Sequence, residues 1–276
     1  MKKVFIAILM LALFVSSSSA SVIGTLNRAN LDINETEAVE FRASDAFTKS
    51  MLGSVIDARL DIDNAAIRFY NSLMTMQLAL SKGEIDAVAS PEYVGEYMLR
   101  QNSGYELKGF IIGKSPIAMA FGFLDENKEL CDKFSRAVED MEREGVIGIL
   151  GRDYITGPAA QNPPAVEFAK FDDAETLTVA LTGDMPPLDY VGADGEPAGF
   201  NTAILAEIGR RLHVNIKPLN VETGARAAAL KSGRADVVFW FMVFMGYDAK
   251  QEDIPEGIIT STPYFGWNKS VLIGRK

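Results

Sequence analysis

Residues 79–88 read ALSKGEIDAV, and residues 229–238 read ALKSGRADVV. In each stretch a helical pattern ends at a glycine, Gly83 or Gly233. Glycine takes the left-handed conformation after a helix without a Cβ penalty. Two residues separate it from an aspartate, Asp86 or Asp236, and then an apolar, valine-containing run begins. Helix, short turn and buried strand make half of a βαβ unit. Its appearance twice predicts two similar α/β lobes; chance likeness of two short stretches is the competing reading.

The flanking sequence extends the pattern. In the second half, residues 177–181 and 216–219 read as strands, 184–187 as a turn and 223–230 as a helix. A helix is predicted over 200–212, where Phe200, Ile204, Ile208 and Leu212 recur every four residues. In the first half, 22–26, 67–70 and 117–123 read as strands, and 72–81, 94–101 and 128–144 as helices. The last helix carries Leu130, Phe134, Val138 and Met141 on one face. Residues 156–174, with Pro158, Pro163 and Pro164 and little periodicity, read as a surface linker. Strands alternating with helices imply mostly parallel, doubly wound sheets. Ligands sit beyond the carboxyl ends of such strands, which here places a site between the lobes.

The amino terminus has its own signature. Lys2 and Lys3 precede twelve apolar residues, 4–15, and a small-residue tract ends at Ala20. This is the layout of a cleavable secretory signal peptide, residues 1–20; an uncleaved anchor is disfavoured because a bilayer span needs about 20 apolar residues. No cysteine follows the cleavage point, so a lipidated mature terminus is not expected, and the predicted location is the periplasm or the medium. Without Lys2 and Lys3 the 27 basic residues fall to 25 against 37 acidic ones, a formal charge of −12. Such a surface repels nucleic acid and anionic lipid. The single cysteine, Cys131, excludes an internal disulfide and reads as a buried structural thiol in the 128–144 helix.

Residues 177–238, beginning LTVALTGDMPPLDYVGADGEPAGFNTA, resemble the start of a mature amino-acid-type periplasmic solute-binding protein, family 3. The likeness rests on a strand, a loop with Pro187, the Gly199-Phe200 helix, and the helix–glycine–Asp–strand unit over 230–238. Ser261-Thr262-Pro263-Tyr264-Phe265 is similar to the segment by which such chains leave their first lobe, and residues 115–154 are similar to the family's ending. The halves stand in reversed order, so the resemblance implies a circular permutant. It further implies an α/β, two-lobe periplasmic-binding-protein-like (type II) fold with a hinge and permuted strand order. The lobes would be 21–115, with 268–276 returning to it, and 116–267, including the linker 156–174. Hinge strands are expected near 114–117 and 264–267. Residues 28–63 match nothing in the family and read as an insertion, helical around 35–51.

The resemblance also implies where a ligand would be held. Family members stack an aromatic residue of the first loop on the ligand, supply hydrogen bonds from a polar segment after the Asp-initiated strand, and clamp a carboxylate with an arginine twelve residues past that aspartate. Here those places hold Met185, the segment 240–243, and Asp248. The substitute clamps are Arg226, after the candidate N-cap Thr223, and Arg28, with Asn27 and Asn30 beside it. For both arginines a solvated surface role is the competing reading. Ser90 and Glu92 follow the first repeat's strand; Glu92 pairs with a ligand ammonium group or is a first-turn helix carboxylate after Pro91, the second reading being favoured. Tyr70 and Thr182 close two further strands. Residues 237–245 are nine consecutive apolar residues. The first part reads as a central strand, and Trp240 and Phe241 as an aromatic cleft wall.

No metal spacing, phosphate loop or catalytic triad stands out; the lone histidine, His213, ends a helix. The expected function is that of an exported, monomeric solute-binding protein without a cofactor. It would capture an amino acid or related amine or carboxylate for the membrane permease of an ABC transporter. The alternatives are a sensing module for a membrane receptor and a dehydratase or lyase using Glu92 or Asp184.

Overall fold

The structure, a computed structural model, describes residues 21–26, 41–42, 54–56, 59–60, 65–244 and 254–276. The first elements in chain order are β1 (Val22–Leu26), β2 (Phe41–Arg42), β3 (Ser54–Ile56), β4 (Ala66–Tyr70), α1 (Leu73–Lys82), β5 (Ala87–Pro91) and α2 (Glu92–Gln101). Then come β6 (Tyr105–Leu124), α3 (Lys128–Arg143), α4 (Val146–Gly151), β7 (Thr176–Leu181), β8 (Asp184–Met185), β9 (Asp189–Val191) and β10 (Pro197–Ala198). The chain closes with α5 (Phe200–Leu212), β11 (Asn215–Asn220), α6 (Arg226–Lys231), β12 (Val237–Phe244), β13 (Ile258–Thr260) and β14 (Phe265–Arg275).

The main sheet runs β11-β7-β12-β6-β14-β5-β1-β4-β2, with β3 and β13 also pairing β6. It is a mixed α/β arrangement with helices against the sheet, and its order is nearly palindromic. On one side β4, β1 and β5 are parallel neighbours. On the other, β11, β7 and β12 are. In each set the first strand in sequence is central, the second outer and the third inner. β14 joins β5 and β6 joins β12, both antiparallel. Between them β6 and β14 pair with each other from one half-sheet into the other, with register shifts after Trp267 and Leu272.

The repeat read from the sequence has a physical cause at each step. Gly83 and Gly233 adopt φ of 80° and 71°. The amide after each reaches back over the helix end, Glu84 to the Ala79 carbonyl and Arg234 to the Ala229 carbonyl, both at 3.0 Å. Asp86 then takes the Val22 amide on Oδ2 at 2.7 Å and donates its own N–H to the Val22 carbonyl at 2.8 Å. Asp236 does the same to Thr178, at 2.8 and 2.9 Å. The aspartate is there because it staples the third strand to the start of the first. Asp86→Ala and Asp236→Ala are each expected to cost about 0.5–1.5 kcal/mol in urea unfolding. The double variant should show the sum, since the sites are remote.

Several predicted elements are corrected in detail. The strand expected over 117–123 is part of the 20-residue β6. Phe41 and Arg42, inside the expected helical insertion, are extended and pair with Ile67 and Ala66; the rest of 35–51 lies outside the described residues, as does the predicted signal peptide. The 184–187 turn begins as the short strand β8, which pairs with β9. The 223–230 helix is split into a 3-10 turn, Thr223–Ala225, and α6.

The apolar faces are where the spacing put them. Phe200, Ile204 and Ile208 of α5 and Phe134, Val138 and Met141 of α3 are buried in one cluster with Phe121 and Phe123 of β6. Cys131 joins that cluster, and burial pushes its thiol pKa up, away from reactivity. The linker is pinned at its end: Asn215 exchanges hydrogen bonds of 2.9 Å with the Phe171 backbone. His213, at φ 53° after α5, stacks on Phe171 with ring centroids 4.1 Å apart.

Candidate functional site

The carboxyl ends of β4, β7 and β11 meet between the half-sheets. Beyond β7 the chain runs Thr182-Gly183-Asp184 into the β8–β9 hairpin, where Asp184 pairs with Tyr190 and Met185 with Asp189. Gly199 then has φ 103°, and a Cβ there would fall 2.5 Å from the Leu188 carbonyl. Glycine is thus required for α5 to start against this loop. The first α5 amides bond it: Phe200 N–H to Pro187 O at 3.0 Å and Asn201 N–H to Leu188 O at 2.7 Å.

Under this loop lies a buried polar network. Asp189 is fully buried. It accepts from the Thr182 hydroxyl, from the Gly183 amide at 2.9 Å and from Asn201 Nδ2 at 2.9 Å. Tyr264 donates its hydroxyl to Asn201 Oδ1 at 3.2 Å. Arg226 is buried beside the network, with Nε on the Thr223 carbonyl at 3.0 Å. Burial pushes the Asp189 pKa up, and the Thr182, Asn201 and Gly183 bonds and the Arg226 charge pull against it. Tyr264 is held well above the usual phenol range, first by burial and then by the charge of Asp189.

Hydrogen bonds cross from one half-sheet to the other. Asp184 Oδ2 accepts the Leu73 amide at the start of α1 at 2.8 Å. The Thr223 amide donates to the Asn71 carbonyl at 3.2 Å. An aromatic line crosses as well: Tyr93 of α2 lies 5.3 Å from Phe265 of β14, and Phe265 lies 4.7 Å from Phe200 of α5.

The residues named from the sequence fall into three groups. Thr182 bonds Asp189, Arg226 lies beside it, and Thr223 holds Arg226 through its carbonyl. Thr223 is not an N-cap: it sits inside the 3-10 turn, no side chain caps α6, and its buried hydroxyl has no partner among the described residues. Arg226 is not a surface arginine, being 3% exposed. Met185 is fully buried within the main apolar cluster, beside Leu188 and Phe200. On the other half-sheet, Tyr70 ends β4, its ring packed over Gly24. Ser90 lies one residue before the end of β5, buried, its hydroxyl without a partner among the described residues. Glu92 lies in the first turn of α2 and pairs with Lys269 at 2.5 Å, which favours the helix-carboxylate reading over a ligand contact. Asn27, Arg28 and Asn30 lie outside the described residues. So do the side chains of Trp240 and Phe241; their backbone belongs to β12, with a register shift at Trp240 against β6.

Sequence reasoning missed Asp189, Asn201 and Tyr264. The one local signal is that Asp189 stands between two large apolar or aromatic residues, Leu188 and Tyr190. Among the described residues no group of three metal-ligating side chains is assembled, and no helix is long and apolar enough to cross a membrane.

Residues 177–254 match the family model of the bacterial extracellular solute-binding proteins, family 3. No curated protein matches the chain. Among solved structures, the ligand-binding component of an ABC-type import system from Staphylococcus aureus, with zinc bound, is similar with a TM-score of 0.44 at 11% identity, over 93% of this chain and 66% of that one. NikA from Staphylococcus aureus in complex with Ni(L-His)2 gives 0.42 at 8%, over 79% and 58%. The ABC transporter-associated periplasmic binding protein DppA from Helicobacter pylori, in complex with peptide STSA, gives 0.35 at 18%, over 71% and 39%. The chain spans less than two thirds of the length of each of these structures.

Proposed function

We propose that this chain is an exported solute-binding protein of an ABC import system, holding a small ligand between its two half-sheets. The observation that carries the reading is the family 3 match over residues 177–254. The pairing of two half-sheets of like order through β6 and β14 supports it, because such strands form a natural hinge for closure over a ligand. On this reading the lobes are 21–115 with 268–276, and 116–267, in permuted order. The matched segment then follows, instead of leading, the part that resembles the family's end. Residues 1–20 act as the export signal, and the membrane partner is a permease.

For the ligand we favour an amine, an amino acid or a related small solute, held from Thr182, Arg226, Tyr70 and the β12 segment at Trp240 and Phe241. Arg226 is already engaged by Thr223 and lies beside Asp189. A bidentate grip on a ligand carboxylate would therefore have to be won from those partners. A thermal-shift screen of amino acids, amines and small carboxylates tests the reading, since a ligand that binds only the folded state raises the melting temperature. Saturating a site at 100 times its Kd should add about 2.7 kcal/mol of stability. A panel with no shift, together with scattering that shows no compaction on addition, would end the solute-binding proposal.

A further inference from the structure

The N-terminus of α1 faces the opposite half-sheet, and the group seated on it belongs to the chain itself. Ser72 Oγ takes the Thr75 amide at 3.1 Å, and Asp184 Oδ2, 111 residues away, takes the Leu73 amide at 2.8 Å. One residue before Ser72, the Asn71 carbonyl takes the Thr223 amide at 3.2 Å. Thr223 is 1% exposed, and its hydroxyl has no partner among the described residues. All these residues lie in the segments that follow the carboxyl ends of β4, β7 and β11, where a doubly wound sheet receives its ligand. A helix N-terminus offers free amides and a positive dipole end to an anion. Here an internal carboxylate already answers that demand.

The charges around it sharpen the point. Glu92 is balanced by Lys269 at 2.5 Å. Asp189 is held by three hydrogen bonds within its own network. Burial pushes the Asp184 carboxyl pKa up, and the Leu73 and Met74 amides at the start of α1 pull against it, so the charge on this carboxylate is solvated by backbone dipoles and not by a side-chain cation in those contacts. A second anion brought to the same place meets an occupied donor set and a like charge, whereas an ammonium group meets an attractive field.

We propose that Asp184 is a built-in closing anion, which seats on α1 to hold the half-sheets together without help from a ligand carboxylate and thereby selects amine solutes that carry none. The selectivity rests on the solute-binding reading; the closure does not.

The test uses the purified full chain, with Asp184→Ala and Asp184→Asn, each checked for folding by circular dichroism. First, X-ray scattering is measured with no solute added. The expected result is a larger radius of gyration for Asp184→Ala than for the wild type, with Asp184→Asn between them. Equal radii for all three would overturn the closure, and if Asp184→Ala fails to fold, the comparison with Asp184→Asn decides. Second, calorimetric titration compares matched pairs that differ by one carboxylate: agmatine with arginine, cadaverine with lysine, histamine with histidine. The wild type should prefer the amine of at least one pair by tenfold or more, and Asp184→Ala should reduce or reverse that preference. Wild type binding the amino acid at least as tightly in every pair overturns the selectivity. If no compound binds any form, the selectivity and the solute-binding reading fall together, while the scattering still decides the closure.

Discussion

Asp189→Ala is expected to lower unfolding free energy by about 3–5 kcal/mol, the range for breaking a buried charged network by removing one partner. The carboxylate is fully buried, and three donors converge on it. Its removal leaves the Thr182 hydroxyl, the Gly183 amide and the Asn201 side chain without an acceptor, and each stranded group costs about 1–3 kcal/mol. Arg226, buried beside the network, loses a balancing charge. Urea titration of wild type and variant measures the effect; a loss below about 1 kcal/mol would mean that the network does not stabilise the fold. Asp189→Asn should be milder. Asn201 turned over would accept from the new amide, and the Tyr264 hydroxyl is able to accept where it now donates.

The pH dependence separates charge from shape. Burial raises the Asp189 pKa in the folded state, so ionising it costs more there than in the unfolded chain. Its contribution to stability is fully present below the unfolded carboxylate value, about 3.9, and is lost as pH rises through the folded value. Asp189→Asn removes that loss. The stability gap between wild type and Asp189→Asn should therefore shift in the variant's favour as pH is raised from about 4 towards neutrality. A gap that widened against the variant would show that the hydrogen bonds and Arg226 outweigh burial.

Phe134→Ala is the second large effect, expected at about 3–5 kcal/mol. Phe134 is fully buried on α3 and wedges between two rings of β6, Phe121 at 5.2 Å and Phe123 at 5.1 Å, both edge-on. Truncation removes two aromatic contacts as well as the transfer energy, and leaves a cavity walled by rings that the sheet holds in place. Phe134→Leu should cost clearly less, because it refills most of the volume. Equal losses for the two variants would mean that ring packing, more than volume, sets the cost.

What could be read in advance follows from how local each cause is. Gly83, Asp86, Gly233 and Asp236 were legible because turn, cap and strand start all lie within ten residues. Phe200, Ile204 and Ile208 were legible because a helix face repeats. The Asp189 network was not, since its members come from residues 182, 183, 189, 201 and 264 and meet only after the sheet has formed. Arg226 was legible as a cleft candidate, but its burial was not, because position on a helix does not reveal what covers it. The length of β6 was hidden because only its last part, 117–123, read as a strand, yet the strand runs unbroken from Tyr105 to Leu124 and takes up different partners along its length.

The pairing of β14 also has a consequence for biogenesis. Residues 269–275 lie between β5 and β6, so the half-sheet built on β1, β4 and β5 receives an inner strand that is synthesised more than 140 residues after the rest of it. Until then the β5 edge has no β14 to pair with, and an open strand edge invites the wrong neighbours. Chains that lack the last residues should therefore hold this half loosely and be protease-sensitive there. The half containing β7, β11 and β12 has β6 already made when its own strands emerge.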